Sequence, residues 1–264
     1  MKAAIVQLKS GSDKGKNIKK ALCLVQCAVA RGAEFILLPE MFNFRGKADP
    51  RKGFKDIAEN IPGPSTAPLM EAARKNRIAI LAGSICEKSA GQRKVYNTSA
   101  LIDARGDIIA KYRKSHLFDA KIGAANIKES QYFAAGQKHA MASLGPWKIG
   151  LSICFDLRFP EFYRKYREGN ADILCVPSAF AKITGRAHWE VLLRARAVEN
   201  MCYVLAPNQI GMDGKGVTAY GNSMVVDPWG EILARASADQ EEILFAELDK
   251  GLIKEKRSVL GFRN

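Results

Sequence analysis

Short apolar, β-like runs alternate with helix-period segments along almost the whole of this 264-residue chain, and that alternation admits few folds. Ala3 to Leu8 reads as a strand, Lys14 to Arg31 as an amphipathic helix, and Glu34 to Pro39 as a β run of the kind buried on both faces. A basic loop covers residues 43 to 55. Turn and N-cap signals at Pro62-Gly-Pro-Ser-Thr66 open a helix to about Asn76, and Ile78 to Cys86 follows as a strand. Tyr96 to Asp103 and Ile108 to Tyr112 pair through a tight turn at Ala104-Arg-Gly-Asp107. Residues 115 to 140 lack a clean period and read as a long loop. Beyond it come a strand leading to Cys154, a helix at Glu161 to Glu168, a strand at Asp172 to Pro177 and a helix at Ala187 to Asn200. Cys202 to Pro207, Ser223 to Val226 and Glu241 to Leu248 complete the strands. Strands interleaved with helices, at least two hairpins among them, predict an α/β fold of two mixed sheets with helices outside. Neither a repeat nor a linker interrupts the pattern, so 1–264 reads as one domain with a basic tail over about 250–264.

Composition narrows the function. The longest apolar stretches, such as Ala21 to Ala30, fall short of the ~20 residues of a membrane span. Met1-Lys2 runs straight into the first strand rather than into a secretory signal, and six thinly spread cysteines suit a reduced, cytoplasmic protein. Cys23 and Cys27 stand four apart, but no second pair stands at ligand spacing and the three histidines are scattered, so neither metal nor cofactor is expected. The net charge of +14 is dispersed in twos and threes without interleaved aromatics. It reads as a solvated surface that draws in an anionic small molecule, rather than as a nucleic-acid or membrane interface.

The chemistry concentrates at Trp147-Lys-Ile-Gly-Leu-Ser-Ile-Cys154-Phe-Asp-Leu-Arg-Phe-Pro-Glu161. Cys154 falls where a strand turns into a helix. There, free backbone N–H groups and the helix dipole are expected to lower the thiol pKa and to hold an oxyanion. Ser152 lies on the same pleat face as Cys154, and the closing glycine of a serine-hydrolase elbow is replaced by the cysteine. Gly11 to Lys16 is one residue short of a phosphate loop, the Gly214 glycine run lacks a following helix, and His188-Trp-Glu190 lacks the Pro-Cys-x-x-Cys half of a deaminase site. What remains is a cysteine in need of a base. Phe35-Ile-Leu-Leu-Pro-Glu40 and Ile109-Ala-Lys-Tyr-Arg-Lys114 each end an apolar run in an ionisable residue. In α/β folds reactive groups gather beyond the carboxyl ends of strands, so the geometry allows Glu40, Lys114 and Cys154 to meet.

Leu37-Leu-Pro-Glu40-Met, Lys111-Tyr-Arg-Lys114-Ser-His-Leu-Phe118 and Gly150-Leu-Ser-Ile-Cys154-Phe-Asp-Leu-Arg-Phe-Pro-Glu161 resemble the three catalytic signatures of the nitrilase superfamily of carbon–nitrogen hydrolases. The likeness extends through Arg194 to Asn200 and Tyr220 to Gly230. It implies a four-layer α-β-β-α sandwich, a homodimer or larger homo-oligomer, and subunit contacts through the C-terminal tail. It further implies that Glu40 is the general base and acid, Cys154 the nucleophile, and Lys114 with the Phe155 backbone N–H the oxyanion donors. Glu129, in Lys128-Glu-Ser-Gln-Tyr-Phe133, resembles the second glutamate of many members, which positions the lysine or the substrate. Phe155 to Glu161 is similar to the Nit amidase branch rather than to true nitrilases. Members of that branch act on ω-amides of dicarboxylic acids or on deaminated glutathione, and Ala187 to Arg196 leans toward the latter. The basic, small-residue loop Ala120 to Lys128 departs from the family pattern, so substrate contacts there do not carry over. An N-carbamoyl hydrolase with the same three residues is the alternative, and a basic binding module on this scaffold is the non-enzymatic one.

Overall fold

Alternate residues of the first strand point to two different cores, and this determines the layering. The computed structural model describes residues 1–91, 93–122 and 125–261. Its elements in chain order are β1 (Lys2–Gln7), α1 (Lys14–Ala30), β2 (Phe35–Leu37), α2 (Ala67–Asn76), β3 (Ala79–Leu81), β4 (Ile85–Glu87), β5 (Tyr96–Ile102) and β6 (Ile108–Arg113). There follow β7 (Asp119–Ile122), β8 (Ala125–Lys128), β9 (Ala140–Leu144), β10 (Trp147–Leu151), α3 (Pro160–Glu168), β11 (Ile173–Cys175) and α4 (Lys182–Asn200). β12 (Tyr203–Ala206), β13 (Met224–Val226), β14 (Ile232–Arg235), β15 (Glu242–Glu247) and α5 (Lys250–Val259) close the chain.

One sheet runs β15-β1-β2-β3-β5-β4 with β6 on β5, and the other runs β14-β13-β12-β11-β10-β9. Ala3, Ile5, Phe35 and Leu37 meet Ile149, Leu151, Ile173 and Val204 of the second sheet, while Ala4, Val6, Ile36 and Ile80 pack under Ala21, Val25, Ala28 and Leu69 of α1 and α2. α3 and α4 cover the outer face of the second sheet, burying Phe162, Tyr166, Trp189 and Leu193. The result is helix, sheet, sheet, helix. Both faces of each central strand are buried, which is why their sequences run apolar without alternation; each fully buried aliphatic side chain contributes roughly 1.5–3 kcal/mol.

β1, β2 and β3 are mutually parallel, as are β10, β11 and β12, so the carboxyl ends within each set open on one side. Several expectations need correction. The run Ile78 to Cys86 is two strands, broken at Gly83, whose φ of +45° and closeness to the Pro39 carbonyl (2.0 Å from an added Cβ) exclude a side chain. Residues 115–140 are not one loop but carry the antiparallel pair β7–β8, although residues 123 and 124 lie outside the described set. α4 starts at Lys182 rather than at Ala187, because Gly185 lets its first turn pack on the Tyr220 ring. β9 and β14 are half-exposed strands at the two edges of the second sheet and lack an apolar run to announce them. The tail folds as α5, while residues 262–264 lie outside the described set.

Candidate active site

Glu40 follows β2 by three residues, Lys114 follows β6 directly, and Cys154 follows β10 by three. All three line one cavity, together with Glu129 and Asn97. The Lys114 Nζ lies 3.0 Å from Glu40 Oε1 and 2.9 and 3.1 Å from the two Glu129 oxygens. Glu40 is fixed on every side: Asn97 Nδ2 donates to Oε1 at 2.9 Å, the Ala179 N–H donates to Oε2 at 2.8 Å, and Gln209 Nε2 donates to its main-chain carbonyl at 3.0 Å. Glu129 accepts the Phe118 N–H at 2.8 Å. The Lys114 backbone is held between Asn97 and Gly136, and an added Cβ at Gly136 would lie 2.1 Å from the Arg113 carbonyl.

One cation sits between two carboxylates in this buried cluster. Burial alone would lower the Lys114 pKa, but Glu129 and then Glu40 outweigh it and hold the ammonium well above its ordinary 10.5. Burial raises the Glu129 carboxyl above its ordinary 4.5, opposed chiefly by Lys114. Burial, and after it the Glu40 carboxylate, pushes the Cys154 thiol well above 9.0, with Lys114 pulling the other way. This overturns the expectation of a lowered thiol pKa. The segment after Cys154 is a single 3-10 turn, Cys154–Arg158, with a weak dipole; the Cys154 N–H is bound to the Pro177 carbonyl at 3.0 Å; and a carboxylate stands nearby. Cys154 therefore rests as a thiol next to a carboxylate, an arrangement suited to passing a proton as the sulfur attacks.

The turn itself is held from below. Cys154 has φ +47°, a strained value for a residue with a side chain. Asp156, wholly buried, accepts the Ile153 N–H at 2.9 Å, the Tyr112 hydroxyl at 2.7 Å and the His116 N–H at 3.0 Å, and its Oδ1 lies 2.7 Å from His116 Nδ1. The Asp156 N–H is spent on Ile153, whereas the Phe155 N–H makes no hydrogen bond among the described residues and stays available to an oxyanion. Ser152 is buried away from this chemistry, donating to the Cys175 carbonyl at 2.8 Å and accepting from the Tyr163 hydroxyl at 2.8 Å.

The profile of the family described as Carbon-nitrogen hydrolase matches residues 2–258. The chain belongs to the carbon–nitrogen hydrolase family. Over 262 residues this carbon–nitrogen hydrolase is 38% identical to Omega-amidase NIT2 of Homo sapiens, covering 98% of this chain and 93% of that one. It is 40% identical over 261 residues to the Deaminated glutathione amidase of Synechocystis sp., covering 97% and 94%. The crystal structure of the C. elegans NitFhit protein superposes with a TM-score of 0.89 at 37% identity, covering 99% of this chain and 64% of that longer one.

Sequence reasoning missed Asn97, the Ala179 N–H, Asp156 and Arg45, all of which line or brace the cavity. A polar Asn97 within the apolar strand β5 and an acid two residues after the cysteine were the available signals for two of them. The Ala179 N–H carries no side-chain signature, and Arg45 was hidden among the other cations of its loop.

Proposed function

We propose that this hydrolase cleaves the linear amide of a small carboxylated compound through a Cys154 thioester. The observation that carries the reading is the Lys114 ammonium bonded to both Glu40 and Glu129 in the cavity that Cys154 lines. Glu40 takes the thiol proton as sulfur attacks the carbonyl carbon, and Lys114 with the Phe155 N–H holds the resulting oxyanion. As the tetrahedral species collapses, the C–N bond breaks and Glu40 returns the proton to the leaving nitrogen. Water then attacks the thioester, Glu40 accepts its proton and passes it to the departing thiolate, and the carboxylic acid is released. Glu129 holds Lys114 in place. The relatives' names support ω-amides and deaminated glutathione as the substrates to try first, and the basic surface favours their negative charge.

Around the site, one continuous core between the two sheets favours a single domain over 1–264. Six free cysteines fit a reducing cytoplasm, and no helix among the described residues is long and apolar enough to cross a membrane. Val191 and Val198 on α4, with Trp229, Val259 and Leu260, are exposed apolar side chains suited to contacts between copies in a homo-oligomer that engages the C-terminal tail. Product release from succinamate and from deaminated glutathione tests the function. The Cys154→Ala protein should retain its far-UV circular dichroism and release nothing, and turnover by it would refute the mechanism.

A further inference from the structure

Asn97, near the start of β5 and 1% exposed, meets both Glu40 and Lys114. Its main-chain carbonyl accepts the Lys114 N–H at 2.8 Å, and its side-chain Nδ2 donates to Glu40 Oε1 at 2.9 Å. Its Oδ1 is buried and has no hydrogen-bond partner among the described residues. The opposite setting of the amide would aim an acceptor at the carboxylate, so the donor end faces Glu40. A buried acceptor without a partner costs stability. An amide kept in this half-satisfied state is accounted for by what its other end holds, which is Glu40.

The two oxygens of Glu40 are held unequally. Oε1 takes two donors, Asn97 Nδ2 and the Lys114 Nζ at 3.0 Å, which occupy both of its lone pairs. Oε2 takes the Ala179 N–H alone, at 2.8 Å, and keeps one lone pair. Oε2 is also tied to the nucleophile's side of the site. Cys154 and Ala179 line both the catalytic cavity and a smaller one bounded by Phe155 and Arg158, whereas Asn97 and Lys114 line only the first.

We propose that Asn97 is a positioning residue: by filling Glu40 Oε1 beside Lys114, it presents Oε2 to the Cys154 thiol and leaves that oxygen to take and return the proton. This rests on the hydrolase reading above. The thiol proton passes to Oε2 as the sulfur–carbon bond forms, and it leaves Oε2 for the nitrogen as the C–N bond breaks. Oε1 stays with Asn97 and Lys114 through both steps. Without the amide, Oε1 regains an open lone pair, and the carboxylate is free to turn about its last bond.

Because Asn97 acts through Glu40, a double-mutant cycle isolates it. Asn97→Leu keeps the approximate shape and the main-chain bond to Lys114, and removes only the donor and the unpartnered acceptor. On succinamate its kcat should fall about 10- to 100-fold, the range for losing a hydrogen bond to a charged group. KM should stay within about twofold, since the amide acts on Glu40 rather than on substrate. Placed in a Glu40→Gln background, the same substitution should cost less than about threefold, because the group it positions is gone. Equal losses in the two backgrounds, or no loss in the wild-type background, would overturn the assignment. Should Asn97→Leu not fold, Asn97→Ala takes its place in the cycle. Wild-type turnover of succinamate separately tests the hydrolase reading. If no amide turns over, the crystal structure of the Asn97 variant still tests the positioning. A Glu40 carboxylate turned away from the Ala179 N–H supports it, and an unmoved Glu40 rejects it.

Discussion

The Lys114 Nζ and Glu40 Oε1 lie 3.0 Å apart across 74 residues of sequence, and both side chains are almost wholly buried, at 1% and 4% exposure. A buried pair of this kind is a poor source of net stability, because desolvation offsets the attraction. Its value is electrostatic. In the proposed reaction Glu40 accepts the thiol proton, and Lys114, pinned from the other side by Glu129, supplies the positive charge that the oxyanion meets.

The same carboxylate sets the state of the nucleophile, which gives a pH prediction. Burial and then Glu40 raise the Cys154 pKa, so the thiolate forms only above the ordinary thiol range. Replacing Glu40 by Gln removes one raising influence and leaves burial in place. The pH profile of Cys154 alkylation by iodoacetamide should therefore move to lower pH in Glu40→Gln, while amide turnover falls by about 10²–10⁴ with loss of the general base. An alkylation profile that moved upward, or did not move, would contradict the assigned electrostatics.

Ser152 separates this site from a serine hydrolase. Its hydroxyl serves only as a link between Tyr163 and the Cys175 carbonyl. Ser152→Ala should lose about 1–2 kcal/mol of stability in urea unfolding, from the buried partners it leaves unpaired, yet keep its turnover within a few-fold. Inactivity in a folded Ser152→Ala protein would place the nucleophile wrongly.

That Glu40, Lys114 and Cys154 would meet was legible because each follows a β run, and the ends of β2, β6 and β10 reach one cavity, although β6 is a half-exposed strand that pairs only with β5. The two-sheet layering was legible because Phe35 to Leu38 and Ile173 to Val176 are apolar at every position, as strands buried on both faces must be. Less legible was whatever depends on tertiary contact. Nothing in Ile78 to Cys86 announces that the Pro39 carbonyl will approach Gly83. The half-exposed strands β9 and β14 carry too little apolar sequence to stand out. The sign of the Cys154 shift was not legible because helix position is local, whereas burial, the larger cause, and the Glu40 charge from a strand of the other sheet both come from tertiary packing.

Asp156 shows how the strained turn is kept in place. It accepts hydrogen bonds from groups on three segments, Ile153, Tyr112 and His116, without solvent access. Asp156→Ala should cost about 3 kcal/mol or more in chemical denaturation, since several buried donors lose their acceptor at once, and kcat should fall as the Cys154 turn relaxes. Wild-type stability together with wild-type kcat would show that the turn needs no such support.

The central claim is that Cys154 carries the acyl group during turnover, and mass spectrometry of protein acid-quenched during steady-state hydrolysis of succinamate tests it most directly. The account predicts a succinyl adduct on the peptide containing Cys154, absent from Cys154→Ala and lost with time after substrate is exhausted. Turnover at full rate with no acyl-enzyme on Cys154 even on millisecond quenching, or with the adduct on another residue, would contradict it.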